Sequence, residues 1–289
     1  MAESDELRER VRELIRAMPE AQREFASAIG LDETKLSKAV AGKRRFSPHE
    51  LVRVAGHCGV TVNWLLNGSD EASTVSAVPM STTRSMASRQ GKPSAPARQR
   101  ILETAWDLIA ERGYHSVRVA DIATACDTSI ASINHHFPTK GDLLNEALRR
   151  NVKLAFDRQV AELHAIENAH ERLLRLVELQ LPTDGLLRAE WSVWLQVWNE
   201  SALNPSMRSL YWDSYNRWYR TIAMTIESGQ RQGVFRRVDP DQAAAQLTAI
   251  IDGLGIQVLT GKPGSSVSAM RRHLHDFIGR NIARETEQQ

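Results

Sequence analysis

At 289 residues, with 42% hydrophobic and 25% charged side chains, the chain has room for two or three ordinary globular domains and is too balanced to be a fibre or a disordered tail. Lys and Arg total 37 against 35 Asp and Glu, a formal net charge of +2, so any nucleic-acid footprint has to be a local patch rather than global basicity. The highly charged start, MAESDELRERVREL, lacks a signal-peptide core. The most apolar later run, 243–259, is broken by Gln246, Asp252 and Gln257 and is too polar to span a bilayer, so a cytoplasmic protein with no membrane partner is expected. Two cysteines, Cys58 and Cys126, sit in apolar helical contexts of different predicted domains and read as buried thiols in a reducing compartment.

Residues 1–68 form a first all-α unit of five short helices. Leu7, Val11, Leu14 and Ile15 mark one amphipathic face. A second helix runs from about Glu20 to Ile29, with Gly30 past its end. Asp32 caps a third, closed by Gly42. Ser47, Pro48 and Glu50 together make a helix start, with cap, first-turn proline and capping-box acid in their proper places. Trp64 is expected in the core. The pieces REFASAIGLDETKLSKAVAGKRRFS and CGVTVNWLLNG resemble the Cro/lambda-repressor (XRE) class of helix-turn-helix domain, over nearly the whole unit. The resemblance implies phosphate contact at Gln22 and a recognition-helix face of Glu33, Thr34, Lys35 and Lys38. The basic run Lys43, Arg44 and Arg45 suits the DNA backbone. Protein contact by the same fold is the alternative use.

Residues 69–97 read as a linker rich in Ser, Thr, Ala and Pro. About 29 flexible residues span roughly 30 Å on average and roughly 95 Å when stretched. Its Arg84, Arg89 and Lys92 suit either a minor-groove arm or plain solubility.

Residues 98–150 carry the second predicted DNA-binding unit. Ile101, Ala105, Trp106 and Ile109 line the inner face of its first helix, which Gly113 ends. Val119, Ile122 and Ala123 make a second short stripe. Asp127 occupies the turn, where Asp tolerates left-handed backbone angles better than most residues, and Thr128 and Ser129 open a third helix with Ile133 and Phe137 inward. Pro138 stops that helix, and Thr139 with Asp142 starts the next, which meets no breaker before about Ile166. The geometry is helix, turn, recognition helix. RQRILETAWDLIAERGYHSV, DIATAC and HHFPTKGDLL resemble the DNA-binding domain of TetR-family regulators. Asp127 stands where that family usually has Gly, Ile130 where a basic residue is common, and Asn134 where Tyr is usual. Arg118 replaces the common Ser or Thr cap and is free to reach a phosphate. The resemblance places DNA contacts on Arg118, Thr128, Ser129, Ile130, Ala131, Ser132, Asn134, His135, His136 and Lys140. Adjacent histidines share no ligand direction on a helix, and no Cys or carboxylate stands at ligand spacing, so no metal is expected.

Residues 151–289 read as a helical effector and dimerisation domain, broken at Pro182 to Gly185, Asn204-Pro205, Gly229 to Gly233 and Asp239-Pro240. The stretch from WSVWLQVWNES to the final GLGIQVL is similar to the effector domain of the BetI-like branch of TetR regulators. That likeness implies a homodimer joined through two long helices, about Asp241 to Leu259 and Val267 to Arg284, with Ala243, Ala244, Ala245, Gly253 and Gly255 allowing close approach. Five of the seven tryptophans lie between Trp191 and Trp218. Trp191, Trp194 and Trp198 share one helix face; Trp212, Tyr215 and Tyr219 share another. These six side chains read either as core packing or as the walls of a pocket for a hydrophobic, aromatic or quaternary-ammonium effector. Glu190, Glu200 and Asp213 are the candidate counter-charges.

The expectation is an all-α, ligand-responsive, sequence-specific repressor acting as a homodimer. It would carry two helix-turn-helix units per subunit and bind double-stranded DNA at a palindromic operator, with possible flanking half-sites. The alternatives are an architectural protein that bridges DNA with little ligand response, and a TetR-like regulator whose N-terminal unit binds a protein. No nucleophile-base pair, phosphate loop or metal spacing suggests an enzyme or a cofactor.

Overall fold

The computed structural model describes residues 2–68, 95–183, 185–203 and 205–284. The linker bases Arg84, Arg89 and Lys92, and the breaks at Asp184 and Asn204, lie outside the described residues. All regular elements within them are α helices; Phe235 and Ala283 make an isolated antiparallel bridge. No described helix is long and apolar enough to cross a membrane. The chain divides into two compact units, residues 1–80 with 153–168, and 81–152 with 169–289.

The first unit contains α1 (Ala2–Ala17), α2 (Gln22–Ala28), α3 (Glu33–Val40), α4 (Pro48–Cys58) and α5 (Val62–Asn67). The starts follow the predicted caps: Asp32 accepts from the Lys35 amide, and Ser47 and Glu50 exchange bonds across the first turn of α4. Gly30, Gly42 and Gly59 take positive φ at the helix ends, a conformation that costs glycine nothing. Val11, Phe25, Leu36, Leu51 and Leu65 are fully buried, and Trp64 packs half-buried against them. Residues 153–168 join this unit. Asp157 is fully buried and accepts from the Val62 amide at 2.8 Å, satisfying an orphan donor at the start of α5. Lys153 donates to the other Asp157 oxygen at 2.8 Å and to the Val60 carbonyl at 2.7 Å.

The second unit holds α6 (Ala95–Arg112), α7 (Val119–Ala125) and α8 (Ile130–His136). It also holds the start of α9 (Lys140–Leu163), then α10 (Ala169–Glu178), α11 (Gly185–Leu203), α12 (Pro205–Arg231), α13 (Pro240–Leu259) and α14 (Val267–Asn281). The core around Trp106 takes Ile101, Ala105 and Ile109 from α6, Ile122 from α7 and Ile133 from α8, the inward faces that the sequence periodicity predicts, and adds Leu144 from α9. Arg98 pairs with Glu146 at 3.2 Å and Arg150 with Glu103 at 2.6 Å, tying α6 to α9. At the far end Arg271 grips both Glu178 oxygens, at 2.6 and 2.8 Å, joining α14 to α10. Asp239 caps α13 as expected, accepting from the Asp241 and Gln242 amides.

Gly255 has a role other than the expected contact between subunits. A Cβ there would run into the Trp191 ring, so this glycine lets α13 close on α11 within one chain. Ala243 and Ala244 are likewise buried within the chain, whereas Ala245 is exposed and a Cβ at Gly253 would meet nothing.

Candidate functional site

The α7–α8 turn is built as the sequence requires. Asp127 takes φ +50°, and the Thr128 amide returns to the Ala123 carbonyl at 2.9 Å. Ser129 caps α8 by accepting from the Ser132 amide at 3.1 Å. At the start of α7, Arg118 cannot cap, but Asp121 reaches back to the Arg118 amide at 2.7 Å and leaves the guanidinium exposed. Thr139 and Asp142 form the expected reciprocal cap ahead of α9. Ile133 and Phe137 are buried while Ser129, Ile130, Ala131, Asn134 and His135 are exposed, so α8 presents one continuous outward face. Thr128, Ser132 and His136 are half-buried at its margin. The Lys140 ammonium lies 4.4 Å from the centre of the Tyr114 ring, and burial lowers its pKa.

Helix α11 links this region to the aromatic segment. Ser192 donates to the Ala110 carbonyl at 2.8 Å, and the Gln196 amide nitrogen donates to the Ile109 carbonyl at 3.1 Å. The Gln196 oxygen accepts from the Tyr114 amide. Gln196 therefore holds the α6 C-terminus from both sides, giving the Tyr114 amide an acceptor and adding a second donor to the Ile109 carbonyl, which also accepts from the Gly113 amide at 2.9 Å. Val193 and Val197 add apolar packing to the same core. Glu200 lies 2.7 Å from His115, which occupies this candidate counter-charge.

The other side of α11 carries the rings. Trp191 and Trp198 meet edge to face at 6.0 Å, and Trp194 meets Tyr211 of α12 at 6.4 Å. The series continues from Tyr211 to Tyr215 at 5.4 Å and from Tyr215 to Trp218 at 5.7 Å. Trp191 is 8% exposed and donates to the Gln180 carbonyl at 2.7 Å, which makes it a packing residue as well. Trp212 is 55% exposed and stacks obliquely on Tyr211, while Tyr219 bonds the Asp241 carbonyl at 2.7 Å. The charge among the rings belongs to a residue that, in the sequence, is a polar break in the apolar run 243–259. Asp252 of α13 accepts from the Tyr215 hydroxyl at 2.9 Å. Burial raises the Asp252 pKa to about 6, partly offset by that hydrogen bond, and burial also raises the Tyr215 phenol. The Trp218 indole N–H is buried with no hydrogen-bond partner among the described residues. The Asp213 side chain lies outside what is described. A groove by the α13–α14 turn, lined in part by Lys262, Ser265, Met270 and His273, includes none of the predicted ligand residues.

Residues 101–147 match the tetR family of bacterial regulatory proteins, and residues 169–283 match the C-terminal domain of BetI-type transcriptional repressors. A transcriptional regulator from Saccharomonospora viridis, solved in complex with choline, is 69% identical with a TM-score of 0.65, covering 66% of this chain and all of that one. The chain belongs to the TetR family of transcriptional regulators, of the BetI type. The HTH-type transcriptional regulator BetI of Klebsiella pneumoniae is 28% identical over 64% of this chain and 93% of its own length. BetI of Escherichia coli K12 is 27% identical over 61% and 90%. A TetR-family regulator from Rhodococcus at 24% identity and TM-score 0.57 shares the fold.

As a TetR-family regulator the chain is a DNA-binding protein, and its homologues are transcriptional regulators rather than enzymes. Within the described residues of the TetR-type unit, the structure brings Ile130, Ala131, Asn134 and His135 onto one face, and gathers Trp191, Trp194, Trp198 and Tyr215 along one α11–α12 series. In the N-terminal unit Glu33, Thr34, Lys35, Lys38, Lys43 and Arg45 are exposed. Gln22 bonds the Ser37 hydroxyl at 2.9 Å. Arg44 is drawn inward, donating to Glu50 at 2.8 Å and to the Lys35 carbonyl at 3.1 Å. Among the described residues no three His, Cys, Asp or Glu side chains gather as a metal site. Both cysteines are unpaired, and burial lifts the Cys58 thiol to about 11.

Proposed function

We propose that this chain is a homodimeric repressor whose operator affinity is set by a quaternary-ammonium effector of choline's chemistry, bound between α11, α12 and α13. The observation that carries this reading is the Asp252 carboxylate held beside Tyr215 in the Trp194–Tyr211–Tyr215–Trp218 ring series. Ring faces attract a methylated cation through their quadrupoles, and a desolvated carboxylate supplies the opposite charge. The choline complex of the 69% identical regulator supports the same class of ligand. Because α11 also holds the C-terminus of α6, a ligand that displaces its aromatic side also moves the helix-turn-helix, provided that it binds the two arrangements unequally. Exposed Ala245 and open Gly253 on α13 support pairing of subunits there. The N-terminal five-helix unit is read as a second, XRE-type DNA-binding module, supported by the exposed bases Lys38, Lys43 and Arg45.

The test compares choline with 3,3-dimethyl-1-butanol, which replaces the charged nitrogen by carbon at equal shape. Calorimetric titration of the intact protein should show choline binding and no binding of the neutral isostere. Choline should also change the affinity for a selected operator. Equal binding of both compounds, or of neither, would sink the cation reading. Charge reversal at Lys38 and Arg45 in the full chain should shorten the DNase footprint; an unchanged footprint would reassign the N-terminal unit.

A further inference from the structure

The outward face of α8 opens on apolar side chains and carries no Lys or Arg, where a DNA-reading helix would be expected to carry such bases. Its sequence, IASINHH, contains no Lys or Arg. Ile130, the first residue of the helix, is 47% exposed, in a unit that buries Ile101, Ile109, Ile122 and Ile133 almost completely. Ala131 beside it and Asn134 one turn on are also exposed. Ser129, the neighbouring hydroxyl, is engaged in capping. A branched hydrocarbon gains nothing from phosphate, which carries charge and accepts hydrogen bonds. In the major groove, the edges of guanine, cytosine and adenine present donors and acceptors. Thymine alone adds an apolar group, its C5 methyl.

We propose that Ile130 is a specificity-determining residue that reads the C5 methyl of a thymine in each operator half-site. This rests on the DNA-binding reading of α8 and goes beyond it by naming the base. Packing a methyl group against the isoleucine removes about one methyl from water, equivalent to roughly a fourfold change in affinity. Replacing Ile130 by a residue of smaller reach removes that discrimination without removing any contact to phosphate.

The experiment uses the intact protein. Preferred sites are first enriched from a random-sequence duplex pool. Each thymidine of the enriched site is then replaced singly by deoxyuridine, which deletes only the C5 methyl. One thymidine per half-site should show an affinity loss of about fourfold with the native protein. The same replacement should cost Ile130→Ala less than about 1.5-fold, and Ile130→Val, which keeps one branch, an intermediate amount. Tolerance of deoxyuridine at every position overturns the proposal, as does an equal loss in Ile130→Ala. Failure of the pool to yield any preferred sequence overturns the DNA-reading role of α8 itself, an outcome distinguishable from the other two. Because Ile130 is exposed rather than a core residue, its replacement leaves the α7–α8 packing in place.

Discussion

The Tyr215 hydroxyl on α12 donates to the Asp252 carboxylate on α13 across 2.9 Å, and this pair is the polar centre of an otherwise aromatic segment. It also sets the protonation chemistry of that segment, because burial raises the Asp252 pKa to about 6. Three experiments follow from this pair and from two other buried connections.

Asp252 has opposite effects on stability and on ligand binding. Its folded pKa of about 6 lies above the ordinary aspartate value of about 3.9, so the unfolded chain loses this proton first. The resulting destabilisation grows as pH rises from about 4 through about 6 and reaches roughly 3 kcal/mol above that window. Asp252→Asn should therefore raise the ligand-free melting temperature at pH 7.5 while abolishing choline binding. In the native protein choline affinity should fall about tenfold between pH 7.5 and pH 5, as the carboxylate takes up its proton. An Asn variant that is less stable and still binds choline would contradict both statements.

Gln196 connects the ring-bearing helix to the end of α6 through the Ile109 carbonyl and the Tyr114 amide. Gln196→Ala leaves the Tyr114 amide without this acceptor, while the Ile109 carbonyl keeps its bond from Gly113, with an expected loss of about 1–3 kcal/mol in urea denaturation. Choline should still bind with nearly native affinity, since Gln196 faces away from the rings. Its effect on operator binding should shrink severalfold. Full retention of that effect would show that another contact carries the coupling.

Asp157 caps the start of α5 and pairs with Lys153 while fully buried. Asp157→Ala should cost about 2–4 kcal/mol, discounted because Lys153 remains partly in water. Asp157→Asn, which keeps an acceptor, should cost less. Native-state hydrogen exchange in the intact chain reads this directly at the Val62 amide, whose protection should fall in the Ala variant. Unchanged protection would mean that Val62 does not depend on this cap.

Local signals in the sequence foretold the local structure. Asp32, Ser47, Thr139 and Asp239 each start the helix that their side chains predict, because a cap is decided within three or four residues. The spacing of Trp191, Trp194 and Trp198 likewise announced a shared helix face. What escaped were partnerships between distant positions. Asp252, 37 residues from Tyr215, looked like a polar interruption in an apolar run. Glu200, offered as a counter-charge for its nearness to the tryptophans, turned instead to His115, 85 residues back. Gly255 looked like space for a second subunit and proved to be space for Trp191. Periodicity gives the face of a helix but not what the fold later lays against it.

The absence of Lys and Arg from α8 has a consequence for how the protein would respond to its ionic surroundings. Salt weakens protein–DNA complexes because each phosphate neutralised by Lys or Arg releases condensed counterions that must be taken up again on dissociation. A recognition helix without Lys or Arg releases few of its own. Rising ionic strength would then lower affinity for all sequences together, through bases elsewhere such as Arg118, and leave the ratio between operator and random DNA nearly constant. A cell that accumulates salt would lose occupancy of the operator without losing the ability to tell it from the rest of the genome.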